Sequence, residues 1–468
     1  QIGVEILKID NFFANDSFFD MGGTSLSATR VVLEAKKKGL QFTYSDVFDN
    51  PTPQKLAALI SGEDTGVFNP QKDIDEYDYT AINNLLANNT LETFLNGERR
   101  PLGNVALFGA TGFLGIHVLN QLLENYQAKV YAVVRQSGGL SAEKYLSNLY
   151  YYYFGETFAD YGERIVIVEG SLTDSDCFAR LAQEPVDTVI NCAANVKHFS
   201  KGTDIEDVNY YGFLNIIDFC KKTGACLVQT STMSIGGTVC GNDFPIKTLG
   251  EHSLYLGQDC SGSKYIWSKF LAERAALQAA TEGLNVKIMR LGNLAPREVD
   301  GEFQINAKTN SFMRDFRAYG IAGAYPYDAD TNVFHCAPID STAEALLLLA
   351  QTPQGCVLFH DYNNHNILFG DIIEQMQRMG IPVRGVEPAE YHQIIDKIIE
   401  EDPSLASIFG NDIAYNMHSK YDNPVEPNWD NLQTHAILLR MGFRWPETYG
   451  TYMHKFLAGL ENLGFFDR

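Results

Sequence analysis

The chain has 468 residues with 58 acidic and 36 basic side chains, a formal net charge of −22, and 45% hydrophobic residues. At about 150 residues per domain this length predicts roughly three domains, and the apolar content suffices for sizeable cores. The acidic balance argues against nonspecific binding to nucleic acid or anionic membranes, and no apolar run approaches the ~20 residues of a bilayer span. The chain opens QIGVEILK, without an initiator Met or a signal-peptide core. It therefore reads as a piece of a longer, cytoplasmic polypeptide. Its eight cysteines are scattered without a CxxC, as in a reducing compartment. The ten histidines form no HExxH, His360 and His365 read as loop residues, and no metal site is expected.

Residues 1–62 read as a small helical domain, with helical patterns over Gly3–Ile9, Ser25–Lys38, Tyr44–Phe48 and Pro51–Ile60. Phe18 and Phe19 are placed to anchor the loop before the second helix. Gly22 and Gly23 then free the backbone to present Ser25 at the helix start. On residue chemistry alone Ser25 fits either an N-cap, a role serine favours, or a modified serine. The run FFDMGGTSL, set in a four-helix pattern, resembles the peptidyl or acyl carrier domain of nonribosomal peptide synthetases. That resemblance spans nearly all of residues 1–62. It implies that Ser25 receives 4′-phosphopantetheine from a phosphopantetheinyl transferase, and that upstream adenylation and condensation domains load its thiol with an acyl or peptidyl thioester. Thr24 stands where many members carry Asp or His.

Residues 63–100 read as an acidic, exposed linker that turns into a lead-in helix over Ala81–Leu95. Next comes Asn104–Gly115, NVALFGATGFLG: a short buried-strand run, then Gly109, Gly112 and Gly115 at spacing three. The pattern predicts a tight turn at Gly109, close approach of a pyrophosphate at Gly112, and close helix–sheet packing at Gly115. The following helix carries Leu114, Val118 and Leu122 on one face, and its N-terminus favours an anion.

Strands then alternate with helices: Lys129–Val134, Arg164–Val168, Asp187–Cys192, Ala225–Gln229 and Asn285–Met289. With Asn104–Phe108 these make the six of a doubly wound dinucleotide fold. Arg135, 20 residues past Gly115 at the end of the second strand, stands where an Asp or Glu would bind NAD ribose. An arginine there suits the extra phosphate of NADP, with Lys144 as a second cation. Tyr265 and Lys269, in KYIWSKFLAER, lie four apart on one helix face. A neighbouring ammonium is expected to lower the tyrosine pKa. Gln229-Thr-Ser-Thr232 ends the fifth strand, bordering the cofactor crevice.

Together, GATGFLG, TSTMS and YxxxK resemble the extended branch of the short-chain dehydrogenase superfamily. The resemblance implies Thr232 (rather than Ser231), Tyr265 and Lys269 as catalytic residues, and Asn209 as the structural asparagine. Cofactor contacts are implied at Gly109, Thr111, Gly112, Phe113, Leu114, Gly115, Arg135, Leu172, Ala193 and Lys269. Leu291 replaces the usual Pro, and Ser171 the usual Asp. More closely, NCAANVKH (191–198) and APID (337–340) resemble thioester reductase domains of peptide synthetases and carboxylic acid reductases. Beyond Ile339 the chain reads as mainly helical.

The expected architecture is a four-helix carrier (1–62), a linker and lead-in helix (63–100), a Rossmann NADP-binding domain (101–300) and a smaller, mainly helical substrate lobe (301–468). The expected activity is NADPH-dependent reductive release of a carrier-bound thioester as an aldehyde, or further as an alcohol. A carboxylic acid reductase fragment, or a non-reductive docking or cyclisation domain, are the alternatives. No GxSxG nucleophile elbow supports a thioesterase.

Overall fold

The computed structural model describes residues 2–40, 42, 44–61, 69–197, 202–240, 248–310, 312–365, 367–402, 405, 408–409, 424–425 and 427–467. Four helices open the chain: α1 (Ile2–Leu7), α2 (Ser25–Lys37), α3 (Tyr44–Asp49) and α4 (Pro53–Ser61). Phe18, Ala28, Val31, Val32 and Val47 are buried between them, with Ile2, Ile6 and Phe12 packed around. The loop before α2 folds over Phe18 so tightly that a Cβ on Gly23 would lie 2.5 Å from that ring and from its carbonyl oxygen. Thr24 caps α2. Its Oγ1 accepts from Ser27 N–H at 3.2 Å, while Ser27 Oγ accepts from Thr24 N–H at 2.6 Å. This reciprocal cap makes Ser25 the first helical residue, not the cap.

Residue 62 of the expected carrier and residues 63–68 of the expected linker lie outside the described residues. From Pro70 the chain is not an exposed connector. It forms three short helices, Pro70–Glu76, Thr80–Ala87 and Leu91–Asn96, whose Ile74, Ile82 and Leu86 are fully buried in the reductase core. The single predicted helix is broken at Asn89 for a reason. Its amide donates to the carbonyls of Glu251 and Leu358 at 2.8 and 2.9 Å, and its Oδ1 accepts from Val357 N–H at 2.8 Å. The side chain thereby pairs backbone groups at the edge of the main sheet.

That sheet has seven parallel strands: β1 (Val105–Phe108), β2 (Val130–Val134), β3 (Ile165–Glu169), β4 (Thr188–Asn191), β5 (Cys226–Thr232), β6 (Val286–Leu291) and β7 (Leu358–Asp361). Their order is β7-β6-β5-β4-β1-β2-β3, so the chain reverses direction across the sheet between β1 and β4. Alternation sorts the strand side chains. Val105 and Leu107 join helix Phe113–Asn125 in one core, and Ala106 and Phe108 join helices Gly212–Thr223 and Lys264–Thr281 in the other. The seventh strand corrects the reading of His360 as a loop residue. LFHD lacks a strand-like apolar pattern because it ends on two polar residues that are nonetheless fully buried. The His360 ring nitrogen lies 3.1 Å from Arg290 Nη1, whereas neither Asp361 carboxylate oxygen has a hydrogen-bond partner among the described residues.

The packing does not divide at residue 300. Helix Ile339–Leu349 lies on helix Phe113–Asn125, β7 completes the sheet, and Ile437, Leu438, Phe443 and Trp445 return to the same core. A second lobe is built around Phe303, Phe316, Phe334, Phe369 and Phe456. It is not purely helical. Ala324–Pro326 pairs with Arg384–Val386, and Val333–Phe334 with Ile367–Leu368. Among the described residues no helix is long and apolar enough to cross a membrane.

Arg290 on β6 and Glu273 on helix Lys264–Thr281 form an ion pair with no solvent exposure on either side chain. Removing one partner strands a buried charge. Glu273→Ala is therefore predicted to lower unfolding free energy by about 3–5 kcal/mol in urea melts, and Glu273→Leu with Arg290→Met to cost less. A single-variant loss below about 1 kcal/mol would contradict the pairing argument.

Candidate active site

The crevice opens where the carboxyl ends of β1 and β4 diverge, the expected ligand side of such a sheet. Gly109 leaves β1 with φ +80°, and a Cβ there would lie 2.5 Å from Ala193 N on the loop after β4. At Gly115 a Cβ would sit 2.0 Å from Gly109 O, so the helix can approach the loop only without a side chain. Gly112 is exposed and is the N-cap of helix Phe113–Asn125, with no side-chain cap. The helix thus presents its positive end and its first N–H groups without a competing side chain, which fits a dinucleotide pyrophosphate. Phe113 and Leu114 can offer only backbone there. The Phe113 ring packs edge-on against Phe303 at 5.2 Å, tying the lobes together, and Leu114 is buried. Thr111 is half-buried in the turn between Gly109 and Gly112.

Arg135 is exposed at the end of β2 and lines an open cleft of about 760 Å³ together with Glu169, Ser171 and Arg180. Lys144 does not line this cleft. Arg180 does, and sequence reading passed over it because it lies on helix Ser175–Leu181, far along the chain from Arg135. Its guanidinium is held by the carbonyls of Glu169 and Asp176. The Leu172 side chain turns away into the core, where a Cβ on Gly212 would meet it at 2.8 Å. Ser171 and Gly170 form the cleft wall instead.

The hydroxyl-bearing end of β5 and the helix Lys264–Thr281 bring Thr232, Tyr265 and Lys269 together. Of the two neighbouring hydroxyls, Ser231 is buried and donates to Glu273 Oε2 at 2.7 Å. Thr232 is the one that meets Tyr265, and it also accepts from Ser234 N–H at 3.1 Å. Lys269 Nζ donates to Thr230 O at 2.7 Å. Among the described residues, one of its three N–H donors is used there, and two remain.

The electrostatics differ from the sequence expectation. Burial raises the Tyr265 pKa above its ordinary value, and the Thr232 hydrogen bond only partly offsets this. Burial likewise pushes Lys269 down to about 8, against the opposing pull of Glu273. The reason is desolvation: both groups sit out of water, where the neutral form of each is favoured. Tyr265 therefore holds its proton at neutral pH.

Asn209 lies on a single π-turn, Asp207–Tyr211, a distortion common at functional sites. Its Oδ1 accepts from Asn195 N–H at 2.8 Å, and its amide donates to Ser268 Oγ at 3.2 Å. It thereby clamps the loop after β4 to the Tyr265 helix. Asn195 lies inside NCAANVKH, and Ser268 and Glu273 inside KYIWSKFLAER, but none was singled out, because the partners that give them their roles are distant in sequence.

The profile of the Male sterility protein family matches residues 107–346, and that of the phosphopantetheine attachment site matches residues 2–60. Among solved structures, the chain is similar to a thiolation–reductase di-domain from an archaeal non-ribosomal peptide synthetase. That likeness has 37% identity and a TM-score of 0.86, and covers 100% of this chain and 97% of that one. It is also similar to the nonribosomal peptide synthetase asaC of Aspergillus flavus, 28% identical over 366 residues, covering 74% of this chain and 35% of that protein. The L-2-aminoadipate reductase of Schizosaccharomyces pombe is 24% identical over 456 residues, covering 91% of this chain and 31% of that protein. The chain thus spans about a third of the length of these curated relatives. A carrier bundle, a doubly wound sheet with an open glycine turn, and matches to both halves lead to one assignment: the chain belongs to the Male sterility protein family of NAD-binding reductase domains, joined to a phosphopantetheine-attachment domain as in the thiolation–reductase di-domains of peptide synthetases.

Proposed function

We propose that the protein releases an acyl or peptidyl chain from its own carrier by NADPH-dependent reduction of the thioester to an aldehyde. The observation that carries this reading is a carrier domain covalently joined to a sheet whose crevice holds a Thr–Tyr–Lys group. We divide the chain functionally into the carrier (1–62), a lead-in (63–100), the cofactor-binding layer (101–300) and the substrate side (301–468).

Ser25 is the attachment point of the 4′-phosphopantetheine arm, which presents the acyl group as a thioester. A nicotinamide cofactor held at the Gly109–Gly115 turn would supply the hydride for the carbonyl carbon. Thr232 hydrogen-bonds the carbonyl oxygen and fixes the phenol beside it. Tyr265, protonated at neutral pH by its burial, gives its proton to that oxygen as negative charge develops. The resulting hemithioacetal collapses: its hydroxyl proton is given up, the C–S bond breaks, and the aldehyde leaves while the sulfur stays on the arm as a thiol. Lys269 is anchored on Thr230 O and would offer its remaining N–H donors to the nicotinamide ribose. Arg135 and Arg180 flank one cleft, a pair suited to the additional phosphate that distinguishes NADPH from NADH. The partners in this reading are upstream adenylation and condensation domains and a phosphopantetheinyl transferase, in the cytoplasm. The relative that is an aminoadipate reductase keeps a single amino acid in view as the acyl group.

With the carrier acylated, Tyr265→Phe should lower the NADPH-dependent rate by about 10²–10⁴-fold, while NADPH binding by fluorescence titration is retained. Lys269 carries its charge below about 8, so the unmodified protein should lose kcat/KM as pH rises through that value. A flat profile to higher pH would remove Lys269 from the mechanism. Incubation with CoA and a phosphopantetheinyl transferase should add one arm by intact mass, and none to Ser25→Ala. Arg135→Ala should narrow the preference for NADPH over NADH by roughly tenfold; an unmoved ratio makes Arg135 a bystander.

A further inference from the structure

Lys264 is the first residue of the helix that carries Tyr265 and Lys269, and the reduction itself makes no use of it. Its side chain is 11% exposed. The ammonium lies 3.2 Å from Glu206 Oε1 and 3.2 Å from Asp49 Oδ1, and donates to Gly202 O at 3.0 Å. Glu206 belongs to the reductase and immediately precedes the π-turn that holds Asn209. Asp49 belongs to the carrier, where it ends α3. Burial works against the lysine charge, but Asp49 and Glu206 outweigh it and raise the pKa, so the cation persists.

From this juxtaposition we infer that the Asp49 end of α3 is the carrier's docking contact on its own reductase, with Lys264 as its receptor at the head of the catalytic helix. The inference rests on the reductive reading for its purpose. Lys264 and Glu206 already balance each other's charge, so Asp49 arrives as a second carboxylate on a cation that is already paired. The Asp49 side chain remains 27% exposed, so its side of the contact keeps access to water and can be released, as a carrier that must also visit upstream domains requires. The contact is also specific in place. It touches the helix of Tyr265 on one side and the segment of Asn209 on the other, so an engaged carrier bears directly on the two elements that frame the reacting carbonyl. Because the carrier is tethered, its effective concentration is of order mM, and a contact this small suffices to populate the docked state.

The test uses the full chain with an acylated arm. Single-turnover reduction of the carrier-borne thioester is compared with steady-state reduction of a free acyl-pantetheine, which needs no docking. Asp49→Lys should slow the carrier-borne reaction roughly tenfold and leave the free thioester within about twofold. The swapped pair Asp49→Lys with Lys264→Glu should recover much of the loss, since the cation introduced on α3 would then lie between two carboxylates as Lys264 does now. An unchanged carrier-borne rate in Asp49→Lys, or equal slowing of both substrates, would overturn the inference. A second readout does not depend on chemistry: a zero-length carbodiimide should join Lys264 to Asp49 in the unmodified chain and not in Asp49→Asn. Absence of that cross-link overturns the docking contact even if reduction proceeds. Failure of the unmodified chain to reduce either thioester, with the cross-link present, would overturn the reductive reading alone.

Discussion

Glu273 has no contact with solvent, and three elements meet at its carboxylate. Arg290 of β6 donates to Oε1, Ser231 of β5 donates to Oε2, and Lys269 lies one helical turn away on the same face. Ser231 sits between the two residues that touch the catalytic helix. Thr230 supplies the carbonyl for Lys269, and Thr232 the hydroxyl for Tyr265. Holding Ser231 therefore sets both contacts at once. An unpaired carboxylate here would be prohibitively costly, and Arg290 is what allows it. Arg290 is in turn held by Ser253 O at 2.9 Å and by the ring of His360. The last strand of the sheet, remote from the reaction in sequence, thus supports the charge that keeps Lys269 protonated against its burial.

The second constraint is the close approach at the glycine turn. Gly109 touches the loop after β4, and Gly115 touches Gly109, so the first strand, its helix and the fourth strand are locked into one rigid mouth. The neighbouring Phe113 spends its ring on Phe303 and so couples that mouth to the second lobe. The lead-in residues are packed onto the same core. Asp73 pairs with Arg274, and Tyr77 bonds Gln278 at 2.8 Å. Both partners lie on the helix that begins at Lys264. The lead-in thus packs on the same helix that carries Lys264, Tyr265 and Lys269.

Much of this was legible in the sequence because it was local. The glycine triplet, the YxxxK spacing and the GGTSL loop each place their residues through a single strand or helix. What sequence could not give was set by distant partners. The resemblance already pointed to Thr232 over Ser231, but the physical reason lies in Glu273, 42 residues away, which holds the Ser231 hydroxyl. The cap at Thr24, which separates Ser25 from an ordinary capping serine, depends on the reciprocal bond with Ser27. β7 was hidden because its His and Asp are buried, and residues 69–80 read as a linker because their apolar residues are few and widely spaced, whereas residues 81–95 read as helical. The tyrosine pKa ran against expectation because charge proximity is visible in spacing, whereas desolvation is not.

The central claim is that the acyl group leaves the carrier by reduction. It is tested most directly by loading the carrier with a defined acyl group, adding NADPH, and following intact mass and NADPH consumption together. The acyl mass is expected to disappear, with the arm left on Ser25 as a free thiol and at least one NADPH oxidised per acyl group lost. Loss of the acyl group without NADPH oxidation, or its retention with NADPH present, would contradict it.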